Sequence, residues 1–277
     1  MKTLILISLL VVTISALPST RNNRIWNGEN ATPGQAPYLI GILWYEFATT
    51  IQPLNICGGA IVNVWWTITA AHCLINNLTG IGRFEIVVGQ HFVSIANRSG
   101  REQFRNIAVE FIHPNFAGGA SAYDVALMRL DAPLAPFNEF VQPIALQAQS
   151  APPLQSGTVR SFGWGSVTGG PPHVLADELQ TVQLPIMSSE LCREVLSTIL
   201  PSNPFSSSCM CTVRFENSGN VCNADSGGPA VANLNGQNVL VGVLAWGTSC
   251  TLSGFPTVWS AIGPVRTWID QTIQANS

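Results

Sequence analysis

Charge is scarce in this chain: only 10% of its 277 residues are Asp, Glu, Lys or Arg, and the formal net charge is -3. The composition offers no basic patch of the kind that binds nucleic acid, so we expect no nucleic-acid partner. Disorder is also disfavoured, because hydrophobic residues make up 47% of the chain and can form a large core. Internal repeats and low-complexity tracts are missing as well.

Long apolar runs are missing beyond the N-terminus. The run Leu4–Ile14 is almost wholly apolar but too short to span a bilayer. Lys2 precedes it and the small pair Ser15 and Ala16 follows it, which predicts a cleaved secretory signal over residues 1–16. We therefore expect a secreted, soluble chain with no membrane partner. About 250 residues remain after cleavage, enough for one large domain or two small ones.

The cysteines are few and odd in number. Most cysteines of a secreted chain form disulfides, so one of the seven is left over. A zinc site is the weaker alternative, because Cys209 and Cys211 are too closely spaced and no histidine clusters with them. The seven are Cys57, Cys73, Cys192, Cys209, Cys211, Cys222 and Cys250.

Three acceptor sequences for N-glycosylation agree with a secreted chain. They begin at Asn30, Asn77 and Asn97, each followed two residues later by Ser or Thr. The sequence therefore predicts a glycoprotein.

Short strand-like segments rich in β-branched and aromatic residues follow one another, separated by Gly, Pro, Asn and Ser. This pattern predicts an all-β fold, either a barrel or a sandwich. One helix is predicted at the C-terminus, where Val265, Trp268, Ile269 and Ile273 share a face and Pro264 suits the first helical position. Residues 187–198 predict a second, short helix. The strand-like segments are residues 38–44, 84–88, 124–130, 158–164, 179–186, 239–246 and 257–262.

A histidine, an aspartate and a serine occur in an order that is informative about chemistry. Unrelated folds place these three catalytic groups in other orders along the chain. A serine hydroxyl is a weak nucleophile, so it needs a neighbouring general base, and an acid can orient that base. We assign these roles to Ser226, His72 and Asp124. They lie in the segments Thr69–Cys73 (TAAHC), Tyr123–Leu127 (YDVAL) and Cys222–Pro229 (CNADSGGP).

These motifs, together with Ala245–Gly247 (AWG), resemble those of the trypsin/chymotrypsin family of serine endopeptidases. The resemblance runs from Arg24 to the C-terminus. It implies two antiparallel six-stranded β-barrels with a C-terminal helix, over a peptidase domain at 25–277. The first barrel is expected at about 25–140 and the second at about 141–277, with the active site in the cleft between them.

The resemblance also implies activation by cleavage. Residues 17–24 look like a short propeptide, and an activating trypsin-like protease would cut after Arg24. The new amine of Ile25 would then pair with Asp225 and switch the site geometry, because a buried charge without its partner is strongly unfavourable. Trp26 departs from the family pattern, which has valine there.

The oxyanion hole is expected to use the backbone N–H groups of Ala224 and Ser226. The family usually has glycine where this chain has Ala224, so strain is expected if the backbone angles are unfavourable there. Ala245 is a second departure, because the family usually has serine at that position.

The resemblance places the specificity pocket at five residues: Asn220, Val221, Trp246, Gly247 and Thr257. Asn220 stands where trypsins have aspartate, so the pocket is uncharged and would not stabilise a buried lysine or arginine. Gly247 leaves the entrance open, whereas Thr257 reduces the depth. We expect a chymotrypsin-like or elastase-like preference for apolar side chains.

Three disulfides are implied by the family: Cys57–Cys73, Cys192–Cys211 and Cys222–Cys250. Cys209 is then unpaired, and Cys192–Cys209 is the competing pairing. Calcium-binding members use two acids in one loop, but Gln90 replaces one of them here and only Glu102 remains. We therefore expect no metal and no cofactor.

The sequence thus predicts a secreted, monomeric serine endopeptidase that is made as a zymogen. It would act on protein or peptide substrates and be a target of protein inhibitors. The alternative is a catalytically weak or inactive homologue that serves as a protein-binding module, which Ala224 and Ala245 favour. A protease inhibitor or lectin-like sandwich leaves the three motifs unexplained.

A glycan on Asn77, five residues after His72, would crowd the rim of the cleft.

Overall fold

The computed structural model of the protein describes residues 25–45, 54–75, 82–200, 202, 205–247 and 249–277. The predicted signal at 1–16, the propeptide at 17–24 with Arg24, and the acceptor Asn77 lie outside the described residues. Within these ranges no helix has both the length and the apolar character needed to cross a membrane.

The described residues form fourteen strands and three α-helices. In chain order the strands are β1 (Glu29–Asn30), β2 (Leu39–Tyr45), β3 (Leu54–Ile61), β4 (Trp66–Thr69), β5 (Arg83–Val88), β6 (Gln103–Ile112), β7 (Ala126–Leu130), β8 (Ala145–Leu146), β9 (Thr158–Gly163), β10 (Gln180–Met187), β11 (Cys209–Val213), β12 (Pro229–Leu234), β13 (Gln237–Gly247) and β14 (Pro256–Ala261). The helices are α1 (His72–Ile75), α2 (Ser189–Ile199) and α3 (Ile262–Ala275), and a 3₁₀ turn covers Ile95–Asn97.

The first barrel closes in the strand order β2-β3-β4-β7-β6-β5, with every pair antiparallel. Strand β2 completes the ring because Ile42 is paired with Cys57 on one side and with Ile86 on the other. Closure leaves no free strand edge in this barrel.

The second barrel runs β9-β10-β11-β14-β13-β12 and returns to β9, again antiparallel throughout. The closing contact is narrow: Val231 of β12 is paired with Arg160 of β9. Two short strands join this sheet from outside the ring, β1 along β10 and β8 parallel to β13. The predicted fold of two six-stranded antiparallel barrels is confirmed.

Helix α3 packs its apolar stripe onto the barrels. Ile262, Val265 and Ile269 are buried within the same core as the first barrel, and the Trp268 ring lies 4.8 Å from the ring of His113. The helix begins two residues before the predicted Pro264, at Ile262. The short helix predicted at 187–198 is also present, as α2, and the Ser188 side chain caps it by accepting a hydrogen bond from the Leu191 N–H.

All seven predicted strands are present, within two residues of their predicted ends. The strands that the pattern did not indicate include β3, β4, β6, β11 and β12. Strand β6 has no fully buried residue, and its apolar residues do not alternate with polar ones, so the pattern does not mark it as a strand.

Candidate active site

The backbone at His72 is fixed by the residues that precede and follow it. It begins the single-turn helix α1, which follows β4 through the fully buried Ala70 and Ala71. The next residue, Cys73, is bonded to Cys57 of β3. Burial and the disulfide together fix the backbone at the histidine.

Asp124 lies directly before β7 and is completely buried. Its Oδ2 is 2.6 Å from His72 Nδ1, and its Oδ1 accepts a hydrogen bond from the His72 backbone N–H at 2.9 Å. The Ser260 hydroxyl donates to the Asp124 carbonyl at 2.9 Å, which fixes the aspartate backbone as well. Because Nδ1 faces the carboxylate, Nε2 is the ring nitrogen left for chemistry.

Ser226 lies in the loop before β12, and it lines a cavity of about 420 Å³ together with His72. The loop is pulled onto β3 by a hydrogen bond from the Gly58 N–H to the Ser226 carbonyl at 2.7 Å. Gly227 has a φ of +75°, and a Cβ there would collide with Thr69 Oγ1 and the Gly58 carbonyl. Only glycine therefore fits directly after the serine.

The pair His72 and Ser226 is the one part of the triad that no hydrogen bond joins in the described structure. His72 Nε2 lies 3.8 Å from Cys73 Sγ, and the described residues include no hydrogen bond between the ring and the Ser226 hydroxyl. Catalytic hydrogen bonds are often long before substrate binds, so the shared cavity is the informative relationship here.

Two backbone donors stand free beside the serine. Within the described residues, neither the Ala224 N–H nor the Ser226 N–H donates a hydrogen bond. Ala224 has a φ of +71°, in the left-handed region that favours glycine. Ala224 therefore has the unfavourable backbone angle that was considered for it from the sequence.

Ala245 is buried in the cavity wall and has no hydroxyl to offer the triad aspartate. Among the described residues, both hydrogen bonds to the Asp124 carboxylate come from His72. Ser260 contacts the aspartate backbone and does not replace the missing side-chain donor.

All five residues predicted for the specificity pocket line the same cavity as His72 and Ser226. Asn220 is only 2% exposed, and its Oδ1 accepts from the Val221 N–H at 3.0 Å and from Thr257 Oγ1 at 3.4 Å. No acidic residue is among the described residues that line the cavity.

The cavity also has a wall that the sequence did not predict. Phe116, Gly118, Gly119 and Ala120 line it, as does Asn223, whose Nδ2 is 2.9 Å from His173 Nε2. Their position in the loop just before Asp124 was the one signal that could have identified the first four.

Asp225 is 1% exposed and points away from the cavity toward β9. Its carboxylate accepts hydrogen bonds from the N–H groups of Gly165 and Cys222, each at 2.8 Å. Burial raises the pKa of this carboxyl group to about 7, although the two hydrogen bonds oppose that effect. Ile25 is completely buried in the second barrel, and the Asn220 N–H donates to the Trp26 carbonyl at 2.9 Å, which joins residues 25–26 to the cavity lining.

The structure contains the three disulfides that the family resemblance implies, and the competing pair Cys192–Cys209 is not formed. Cys209 is a buried free thiol whose pKa is raised by burial. Cys57, His72 and Cys73 are the one described group with metal-ligating side chains close together, but the two cysteines are bonded to each other.

The two residues considered for a calcium site, Gln90 and Glu102, bond to other groups of the protein. Gln90 is buried, and its Nε2 donates to the Phe92 carbonyl, whereas Glu102 accepts from the Ser99 N–H and hydroxyl.

The predicted glycosylation sites Asn30 and Asn97 are exposed. Their amide nitrogens donate to Glu178 and Asp177, respectively.

The family model described as Trypsin matches residues 25–269, which include both barrels and the whole cavity. The chain belongs to the trypsin family. Similar curated proteins of this kind are serine protease 1 of Canis lupus familiaris, 32% identical over all of both chains, and trypsin-3 of Salmo salar, 32% identical over 80% of this chain and 84% of that protein. Coagulation factor IX of Cavia porcellus is 31% identical over 92% of this chain and 84% of that protein.

Proposed function

We propose that this trypsin-family chain is a secreted serine endopeptidase, made as a zymogen, that cleaves protein and peptide substrates next to apolar residues. One observation carries the proposal: the His72 ring, held by a buried Asp124, opens onto the same cavity as the Ser226 hydroxyl. A nucleophile, a base and an orienting acid are the parts that acyl transfer requires.

In the proposed mechanism, the Ser226 Oγ attacks the carbonyl carbon of the scissile peptide bond while His72 Nε2 takes its proton. The Ala224 and Ser226 N–H groups, which have no partner among the described residues, would bind the developing oxyanion. His72 then gives the proton to the leaving amine, and a water molecule hydrolyses the acyl-enzyme by the reverse proton route. Asp124 holds the ring tautomer and stabilises the imidazolium.

The pocket supports the apolar preference. Asn220 at its base already uses its carbonyl oxygen within the protein, and no described lining residue supplies a negative charge. A buried arginine or lysine side chain of a substrate would therefore lack a counter-charge, which is costly.

Activation by cleavage after Arg24 is supported by the state of Asp225. Its carboxyl group is buried between Gly163 and Gly165 with backbone partners only. A new ammonium group at Ile25, a residue that is already buried in the same barrel, would supply the missing counter-charge.

The second candidate function is a protein-binding module with little or no catalysis. The left-handed backbone at Ala224 and the missing hydroxyl at Ala245 favour it. Either departure would weaken the site without removing a member of the triad.

The two functions are separated by turnover of the cleaved protein. We would cleave it after Arg24 with immobilised trypsin, remove the trypsin, and measure hydrolysis of peptide amides carrying Leu, Phe, Ala or Arg before the scissile bond. The proposal predicts hydrolysis of the Leu and Phe substrates faster than the Arg substrate, and none by Ser226→Ala. Equal background rates in both proteins would favour the binding module.

A further inference from the structure

A second cavity, of about 370 Å³, lies between the barrels and shares no lining residue with the catalytic cavity. Gln35 and Tyr38 of the first barrel meet strands β9, β10, β12 and β13 of the second. None of the nine described lining residues is acidic, and one of them, Arg160, is basic.

Arg160 differs from the other arginines. The structure describes nine, and Arg160 is the one among them whose side chain has no hydrogen bond, ion pair or aromatic-ring contact to a described residue. It is nevertheless partly buried, and its charge lies close enough to the Tyr38 phenol to lower the pKa of that group, against the larger effect of burial. Partial loss of hydration around an unpaired guanidinium is unfavourable, so an anion that binds there would stabilise it.

The uncommitted groups around Arg160 are mainly hydrogen-bond donors. The Gln35 carbonyl oxygen accepts from the Thr32 N–H at 2.9 Å, and the Asn233 carbonyl oxygen accepts from the Gly236 N–H at 3.1 Å. These bonds fix the amide orientation, so each side chain keeps a free NH₂ group. Two side chains also offer an acceptor. The amide nitrogen of Gln183 donates to Thr158 Oγ1 at 2.9 Å and leaves its carbonyl oxygen free, and the Asn238 amide makes no hydrogen bond to a described side chain or backbone group.

The remaining wall is apolar and aromatic. The Tyr38 and Phe162 rings pack edge to face with centroids 6.2 Å apart, and Val231 closes one side. Burial raises the pKa of the Tyr38 phenol, so its hydroxyl stays protonated and able to donate. An occupant must therefore combine a negative group for Arg160 with an apolar stem for the rings.

We propose that this cavity is a docking site for an acidic side chain, Glu or Asp, presented by an extended segment of a protein partner. A single guanidinium matches one carboxylate through two parallel hydrogen bonds. A phosphate dianion would keep one negative charge without a counter-charge, because the described lining residues supply no second cation. The volume left beside the carboxylate fits backbone atoms of the segment, and the free amide groups can bond to them.

The proposal is independent of catalysis, and its test uses the uncleaved Ser226→Ala chain so that no peptide is hydrolysed. The probes are the capped pentapeptide Ala-Ala-Glu-Ala-Ala and its Gln counterpart, with sodium sulfate and phosphate as separate arms. Binding is followed by amide chemical shifts of β9 and of Gly236. Arg160→Gln is compared with Arg129→Gln, which removes an arginine whose guanidinium lies over the Trp65 ring.

We expect the Glu peptide to bind at least tenfold more tightly than the Gln peptide, with shifts at β9 and Gly236. Arg160→Gln should abolish that preference and Arg129→Gln should keep it. Arg160→Gln should also melt no lower than its parent, because it removes an unpaired charge. Equal binding of both peptides, stronger binding of sulfate or phosphate, or a lower melting temperature of Arg160→Gln would overturn the proposal.

Discussion

His72 and Asp124 are joined at two points, through the ring Nδ1 to Oδ2 at 2.6 Å and through the backbone N–H to Oδ1 at 2.9 Å. The second bond ties the carboxylate to the backbone that carries the base, and the first bond holds the ring orientation, because it breaks if the ring turns. With Ala245 in place of a hydroxyl donor, this histidine supplies all the hydrogen bonds that the described residues give the carboxylate.

Asp124→Asn should abolish most of the activity while leaving the fold intact. The amide would favour the wrong ring tautomer, and we expect kcat to fall by about 10⁴. Steady-state kinetics on the cleaved protein measures this. Ser260→Ala is the matched control, because its hydroxyl bonds to the Asp124 carbonyl and not to the carboxylate. A loss in Ser260→Ala as large as that in Asp124→Asn would contradict the assigned role.

Ala224→Gly should stabilise the protein. At φ +71° the alanine methyl is strained, and relief is worth about 1 kcal/mol in the free energy of unfolding. Ala224→Val should have the opposite effect, because a β-branched residue fits this region worse. Urea unfolding of the three proteins gives the values. A glycine variant less stable than the parent would show that the strain is not there.

Asp225 should make the uncleaved chain less stable as pH rises. Burial raises the pKa of its carboxyl group in the folded state from 3.8 to about 7, so the folded state holds the proton more tightly than the unfolded state. This contribution is complete below about pH 4 and is lost as pH rises through 7. After cleavage, an Ile25 ammonium group beside the carboxylate would lower that pKa and remove the loss.

Urea unfolding between pH 4.5 and 8 tests this for uncleaved and cleaved protein. Asp225→Asn in the uncleaved chain is the control, because it has no carboxyl group to titrate at that position. The account expects the uncleaved parent to lose stability relative to Asp225→Asn over this range. The same profile before and after cleavage would refute the pairing with Ile25.

Asn220→Asp should redirect the specificity of the enzyme. A carboxylate at the pocket base would pair with a substrate guanidinium, so we expect the ratio of kcat/KM for arginyl over leucyl substrates to rise at least about tenfold. Asn220→Leu is the control, since it removes the polar group without adding charge. Unchanged ratios in both variants would mean that Asn220 does not contact the substrate.

The sequence predicted those features that a short segment can encode. The three motifs, the C-terminal helix and the strands with apolar runs could be predicted because neighbouring residues specify them. Strands β6 and β11 were missed because neither has apolar and polar residues in regular alternation. Their pairing partners, rather than their own residues, determine them.

Features that depend on residues far apart in the sequence could not be predicted, because neighbouring residues do not specify them. The left-handed φ of Ala224 could be suspected only from the glycine that the family usually has there, because an alanine in the sequence does not by itself indicate such an angle. The second cavity joins Gln35, Tyr38 and Arg160 from different barrels. No local pattern links residues more than a hundred positions apart.

The central claim is that Ser226 is an activated nucleophile, and covalent labelling tests it most directly. An organophosphonate with an apolar side chain would be added to the protein before and after cleavage at Arg24, and the modified residue identified by peptide mass. The account predicts one label, on Ser226, that forms after cleavage and is lost in His72→Ala. A cleaved protein that takes up no label, or takes it up equally without His72, would contradict the account.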